Sequence, residues 1–298
     1  MNDRLIVIDA YSQIFRMFHG IRGNLKSADG LPTNAIYGIA RLLFTLDKEF
    51  PAAYAAVAFD KGKCKIRCEL QSDYKATRKP MPEELREQIP FIEKWFELMG
   101  WNHLVTEGVE ADDIIGAVVT KSGVGENLIL SSDKDLMQLV NESVLQLVPG
   151  KQNTFKRFDI EAVTEKFGVR PDQVLDYLSI VGDAVDNIPG IKGVGPKTAA
   201  KLLNQFGSID GMYTDLAGIS KENLRTKVAE ASDQMVLNRK MVALYPDSFD
   251  YPGTAALKRK RPQLDKLFEL AVELNFKSIL KDIEELIEKE KSPTLFDF

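Results

Sequence analysis

Histidine and cysteine are almost missing from this 298-residue chain: two of each, at His19 and His103 and at Cys64 and Cys68. A zinc site wants four clustered nitrogen or sulfur donors, and each histidine stands alone in sequence. The cysteines of CKIRC are spaced to share one face of a helix and read as the reduced thiols of an intracellular protein. No apolar run approaches the roughly 18 residues of a membrane span. The start, MNDRLIVIDAYSQ, has neither the basic flank nor the cleavage site of a secretory signal. Low-complexity blocks and solenoid-period repeats are absent too. The expectation is a soluble, cytoplasmic chain with no membrane partner.

Positive charge is in short supply. Lys and Arg total 39 against 44 Asp and Glu, for a net charge of −5. Phosphate contacts ask for a basic footprint. However, carboxylates that bind two or three divalent cations gain about four to six positive charges with them. The balance of charge therefore decides nothing about nucleic acid.

What is present has an order. LIVID (5–9), YAAVAFD (54–60) and NLILSSD (127–133) are continuous apolar runs, the pattern of strands buried on both faces of a parallel sheet. Helical periodicity lies between them, over about 34–50, 83–99 and 111–122. Strand alternating with helix predicts an α/β domain. SVLQLV (143–148) and TFKRF (154–158) add two strands. Beyond 159 come short helices, expected over 159–167, 171–181, 196–206, 220–226, 228–244 and 262–275, then a charged helix over 277–290. The division is expected near residue 170, with 291–298 as a flexible tail.

Each of the three clearest strands ends on an acid: Asp9, Asp60 and Asp133. The carboxyl ends of parallel strands share one edge, so these three should gather there. Any one alone is an ordinary turn or cap residue. More acids follow at the same edge: Glu110, Asp112 and Asp113 in GVEADDIIG, Asp135 in SSDKD, and Asp183 and Asp186 in GDAVDNIPG. Capping a helix does not need so many. Crowded carboxylates repel and raise one another's pKa unless cations separate them. Oxygen-only donors suit Mg²⁺ or Mn²⁺.

IPGIKGVGPKTAAKLL (188–203) is the glycine-rich element. Gly190 and Gly195 have Walker spacing, but Pro196 stands where the lysine belongs and no apolar strand precedes, which rejects a nucleotide loop. A helix-hairpin-helix fits better. Gly193 and Gly195 allow close backbone approach, Pro196 opens the second helix, and Lys197 and Lys201 lie nearby. Such a hairpin contacts phosphates without reading bases; a tight structural turn is the plainer alternative. DYKATRKPMP (73–82) sets Tyr74 among Lys75, Arg78 and Lys79, a stacking-plus-phosphate composition that solvated faces also show. Arg16 and His19 follow the first strand and are ambiguous by themselves.

In this order, VIDAYSQIFRMF, AFDKG, DYKATRKPMP, EGVEADDIIG, SSDKDLMQL and GDAVDNIPGIKGVGPKTA resemble the flap endonuclease-like bacterial 5′-nuclease family. Within it they resemble the N-terminal 5′–3′ exonuclease domains of bacterial DNA polymerase I. The resemblance runs from Leu5 to about Lys281.

It implies a PIN-like catalytic domain (1–170) with a mostly parallel sheet, a helical arch over the site, and a helical DNA-binding domain (171–290) whose hairpin often holds K⁺. It implies one metal group of Asp9, Asp60, Glu110 and Asp112 with Asp113 close by, and a second of Asp133, Asp135 and Asp186 with Asp183 nearby. Lys75 and Arg78 match the basic residues at the base of the arch, Tyr74 a stacking residue, and Arg16 and His19 residues close to the scissile phosphate, with Lys75, Arg78 and Arg16 as the catalytic candidates. Tyr74, Lys79, His19, Gly193, Gly195, Lys197, Thr198 and Lys201 are the candidate DNA contacts. Ala10 and Ser132 stand where glycine is common. The implied activity is two-metal hydrolysis of DNA at 5′ ends and flaps, in replication and repair, by a monomer.

No polymerase follows, so the expectation is a free-standing nuclease or a domain of a longer protein. SPTLFDF resembles motifs that dock on sliding clamps, without their leading Gln. Two other readings are a 3′–5′ exonuclease with a four-carboxylate site and a DNA-binding scaffold without catalysis.

Overall fold

The protein is described by a computed structural model covering residues 3–291 apart from 22, 24, 77 and 151–153. The clamp-motif expectation at 292–298 lies outside the described residues. Six strands form the central sheet: β1 (Arg4–Asp9), β2 (Tyr54–Lys61), β3 (Asn102–Glu107), β4 (Glu126–Leu130), β5 (Val144–Pro149) and β6 (Phe155–Phe158). Their order is β3-β2-β1-β4-β5-β6, parallel throughout except for antiparallel β6. The chain builds outward from β1 through β2 and β3, then crosses to β4 on the other side. The reversal puts the topological switch point between β1 and β4, where open α/β sheets bind ligands.

The helices are α1 (Ala10–Gly20), α2 (Asn34–Glu49), α3 (Lys65–Leu70), α4 (Glu83–Arg86), α5 (Ile89–Leu98), α6 (Ala111–Lys121), α7 (Ile160–Phe167), α8 (Val174–Val181), α9 (Pro196–Phe206), α10 (Ile209–Thr214), α11 (Glu222–Glu230), α12 (Ser232–Val242), α13 (Leu264–Glu273) and α14 (Lys277–Lys291). Alternate residues of β1 serve opposite faces, as the two-residue period requires. Ile6 and Ile8 pack with α1, α2 and α5, whereas Leu5 and Val7 pack with Ile114, Ile115 and Val118 of α6.

Three expectations shift. β4 stops at Leu130, so Asp133 stands in the following loop rather than at a strand end. That loop is pinned by Gln146, whose amide donates to the carbonyls of Ser131 and Asp133 at 3.0 and 2.6 Å. The helix expected over 83–99 is two helices, because Pro90 near the start of α5 cannot bond back into α4. β3 is an additional strand. It is the sheet's edge, only Leu104 of its six residues is buried, and so it lacks an apolar run.

The C-terminal part packs in two places. Residues from Met137 to Val242 form a helical core of their own. Phe249 and Leu257 then return to the α6 face, and Leu267, Ala271, Phe276, Ile279 and Ile283 to the α2–α5 face. Arg259 anchors the return through Asp47, with contacts of 2.5 and 2.6 Å. The apolar stripes of α13 and α14 need cover, and the exposed side of α2 and α5 supplies it.

Candidate active site

The switch point opens into a cavity of about 320 Å³. Asp9, Asp60, Asp112 and Asp133 line it, with Ser12, Tyr11, Phe15, Met81, Ala111, Lys75 and Arg78. Local structure holds the acids in place. Asp9 ends β1 and caps α1, accepting from the Ser12 amide at 3.1 Å, and its other oxygen accepts from Ser131 Oγ at 2.7 Å. Asp60 accepts from the Ala111 amide at 2.8 Å and so caps α6 from a neighbouring strand. Asp112 sits in the first turn of α6.

Charge crowding shows in the acidities. Burial pushes the Asp9 carboxyl up to about 7, with Asp60 and Asp133 adding to it and the Ser131 bond opposing. Burial likewise raises Asp60, and it holds Asp112 well above the carboxylate range with help from Asp133, Asp9 and Asp60. A second acidic group adjoins the first at Asp133. Asp135 is raised to about 7 by burial, with Asp133, Asp183 and Asp186 contributing, and its buried Oδ1 has no partner. A buried, unpartnered carboxylate oxygen among other carboxylates fits a hard divalent cation, as does a donor set made only of oxygen.

Basic residues border both groups. Lys75 Nζ pairs with Glu110 Oε1. Arg78 pairs with Asp186 at 2.7 Å while also lining the cavity, so it joins the two groups. Lys134, a lysine that sequence alone marks only faintly, pairs with Asp183 at 2.9 Å. Burial works against the Glu110 charge, but Lys75 and Arg67 outweigh it and hold its pKa below the ordinary value. Lys75 has a left-handed backbone, φ 55°, which costs an L-residue about 1–2 kcal/mol. Two consecutive turns carry it, closed by the Tyr74 amide on the Gln71 carbonyl and the Ala76 amide on the Asp73 carbonyl. Among the described residues, the segment between α3 and α5, where the arch is expected, has one helix, the single turn of α4.

Other expected site residues lie outside the cavity lining. Asp113 does not line the cavity. Neighbouring positions on a helix diverge by about 100°, so Asp112 turns to the cavity and Asp113 turns away, spending both oxygens on Arg67 at 2.7 and 3.0 Å. Tyr74 is not an open stacking platform. Its hydroxyl donates to Glu110 at 3.3 Å and its ring lies under Lys75. Arg16 donates to the Gly150 carbonyl and lies outside the cavity wall. His19 is exposed and stacks on Phe15, with centroids 6.3 Å apart. Lys79 is exposed.

The glycine-rich element joins α8 to α9 through a two-stranded turn, β7 (Gly182–Asp183) with β8 (Ile188–Pro189). A side chain at Gly190 would put its Cβ 2.2 Å from the Val181 carbonyl oxygen, so glycine is what lets the two segments touch. Gly193 adopts φ +80°, Gly195 caps α9 and Pro196 begins it. Lys197 and Lys201 are exposed and Thr198 partly so, all on the first two turns of α9.

This arrangement has relatives. Residues 4–168 match the family described as 5′-3′ exonuclease, N-terminal resolvase-like domain, and residues 169–265 match 5′-3′ exonuclease, C-terminal SAM fold. The chain belongs to the 5′-3′ exonuclease family. It is 39% identical over 294 residues to a 5′-3′ exonuclease of Aquifex aeolicus, covering 98% of this chain and 99% of that protein. It is 35% identical over 283 residues to DNA polymerase I of Caldicellulosiruptor bescii, covering 93% of this chain and 33% of that one. The family region therefore spans about a third of that polymerase.

Among solved structures, the bacteriophage T5 D15 flap endonuclease with DNA and metal ions superposes with a TM-score of 0.67 at 22% identity, covering 96% of this chain and 99% of that one. The catalytic core of Rad2 with DNA gives 0.65 at 15%, covering 95% and 93%. At these identities the likeness is one of fold. The two exonuclease-family segments meet beside Gly168, the left-handed glycine (φ 73°) that ends α7. Residues 266–291, which complete the helical layer over the sheet, lie past the second segment. Among the described residues no helix is long and apolar enough to cross a membrane.

Proposed function

We propose that the chain is a structure-specific 5′-nuclease, hydrolysing DNA phosphodiester bonds at 5′ ends and flaps in replication and repair. One observation carries this reading: four aspartates from separate segments converge on one cavity at the switch point, with Lys75 and Arg78 on its wall. Asp9, Asp60, Glu110 and Asp112 would hold one divalent cation, and Asp133, Asp135 and Asp186, with Asp183, a second. Bound Mg²⁺ or Mn²⁺ supplies an acidified water and charge neutralisation at phosphorus.

The protein's own groups do the rest. Lys75 and Arg78 face the cavity as fixed cations and stabilise charge on a phosphate there. Lys75 is partly buried, which limits its screening by bulk water, whereas Arg78 stands at the exposed rim. Lys197 and Lys201, with the open backbone of 193–195, hold duplex phosphates independently of sequence. Terminal nucleotides must unpair to reach a cavity of this size, at a cost of a few kcal/mol.

The test is a 5′-labelled flap incubated with and without Mg²⁺. Short labelled products at the flap junction with Mg²⁺, and none with EDTA, are expected. A ladder of 5′-labelled strands shortened from the 3′ end would instead favour a 3′–5′ exonuclease. Binding without cleavage under any divalent cation would favour a scaffold.

A further inference from the structure

Beside the cavity lies a second cluster of donors. Cys64 Sγ and carboxylate oxygens of Glu110 and Asp113, all buried, lie within 4.8 Å of one another. Such a set could hold a metal, but a guanidinium fills the space. Arg67, only 3% exposed, donates from Nη1 to Glu110 Oε2 at 2.6 Å, Asp113 Oδ2 at 2.7 Å and Cys64 Sγ at 3.5 Å. Its Nη2 donates to Asp113 Oδ1 at 3.0 Å and to the Ala243 carbonyl at 2.7 Å, and its Nε to the Met241 carbonyl at 3.0 Å. The Tyr245 ring covers the guanidinium at 5.4 Å.

Three segments meet on this one side chain: α3, the start of α6, and the chain leaving the helical core after α12. The two carboxylates use it differently. Asp113 is fully spent, because Oδ1 also accepts from the Tyr245 amide at 2.8 Å. Both Glu110 oxygens have partners too, but on different sides: Oε2 accepts from Arg67, while Oε1 accepts from the Tyr74 hydroxyl and from Lys75, which lines the cavity. A planar guanidinium fixes carboxylate orientation in a way an ammonium does not. Groups that orient a ligand from behind typically change metal affinity by about 10- to 100-fold when altered.

We propose that Arg67 is a positioning residue that fixes Glu110 with one oxygen toward the cation site, and that Asp113 is its counterion rather than a ligand. Through the carbonyls of Met241 and Ala243 the same contact couples Glu110 to the seating of the helical core. The proposal rests on the metal-binding reading of the cavity.

The experiment measures Mn²⁺ affinity by electron paramagnetic resonance on the full chain without DNA, beside thermal unfolding in EDTA. The variants are Arg67→Lys, Asp113→Asn and, for reference, Asp112→Asn. Arg67→Lys is expected to fold and to weaken Mn²⁺ binding at the affected site by about tenfold or more. Asp113→Asn is expected to lower the Tm while keeping Mn²⁺ affinity within about threefold, well under that range.

A lower Tm with unchanged Mn²⁺ affinity in Arg67→Lys overturns the proposal. So does an Asp113→Asn protein that loses Mn²⁺ as severely as Asp112→Asn. If Arg67→Lys fails to fold, Asp113→Asn decides by the same criterion. Asp112→Asn reports separately on the underlying reading: Mn²⁺ binding unaffected there would remove the metal site itself.

Discussion

Ser131 Oγ donates to Asp9 Oδ2 at 2.7 Å, tying the end of β1 to the loop after β4 across the switch point. This bond lowers a carboxyl that burial lifts to about 7. The consequence for stability has a definite sign. An unfolded Asp releases its proton near pH 4, whereas folded Asp9 and Asp135 keep theirs to about 7. Between those values the folded state binds more protons, so stability falls as pH rises and levels off above about 7. In EDTA the Tm should drop between pH 5 and pH 7.5, and Mg²⁺ should restore more of it at pH 7.5 than at pH 5. A Tm that rises across this window would contradict the assignment.

The second acidic group should be as necessary as the first. Asp133→Asn combined with Asp135→Asn removes the acid shared by both groups and the one with a buried, unpartnered oxygen. Cleavage of a 5′ flap should fall below detection, while binding of the same flap, read by fluorescence anisotropy, should persist. Near-normal turnover would show that these carboxylates are structural.

Lys75 is held on the cavity wall in a backbone conformation that non-glycine residues seldom adopt. Lys75→Ala should lower the single-turnover rate by more than tenfold, corresponding to about 1.4 kcal/mol or more of lost transition-state stabilisation. A change in flap affinity alone, with the single-turnover rate intact, would make it a positioning contact.

Gly190→Ala places a methyl group 2.2 Å from the Val181 oxygen, on backbone that cannot swing aside. Overpacking of this kind costs about 1–3 kcal/mol, or roughly 2–4 °C in Tm per kcal/mol for a chain of this size. Duplex affinity should weaken with it, measured by anisotropy at fixed salt. Unchanged affinity would mean that the hairpin does not carry the duplex.

Much of this was legible in advance because parallel strands buried on both faces read as unbroken apolar runs. β1, β2 and β4 lie where those runs lie, and they bring Asp9, Asp60 and the loop of Asp133 to one edge. β3 was not legible, since an edge strand with one buried residue has no apolar signature. Nor could spacing alone separate Asp112 from Asp113, which only the family resemblance set apart: adjacent acids at a helix start look alike until the helix is docked. Lys134 had a faint signal, a lysine between the acids of SSDKD. Arg67 had none, because its partners lie in segments distant in sequence. Ile279 and Ile283 sit one helical turn apart within the charged run 277–290, and that spacing could have pointed to the return of α14 onto the sheet domain.

The most direct measurement is a Mn²⁺ titration of the wild-type chain and Asp60→Asn by electron paramagnetic resonance, paired with flap cleavage by the same samples. Two or more ions per wild-type chain, loss of the tighter one in Asp60→Asn, and cleavage abolished in step are the predicted results. Equal ion counts and affinities in both proteins, or near-normal turnover by Asp60→Asn, would contradict the account.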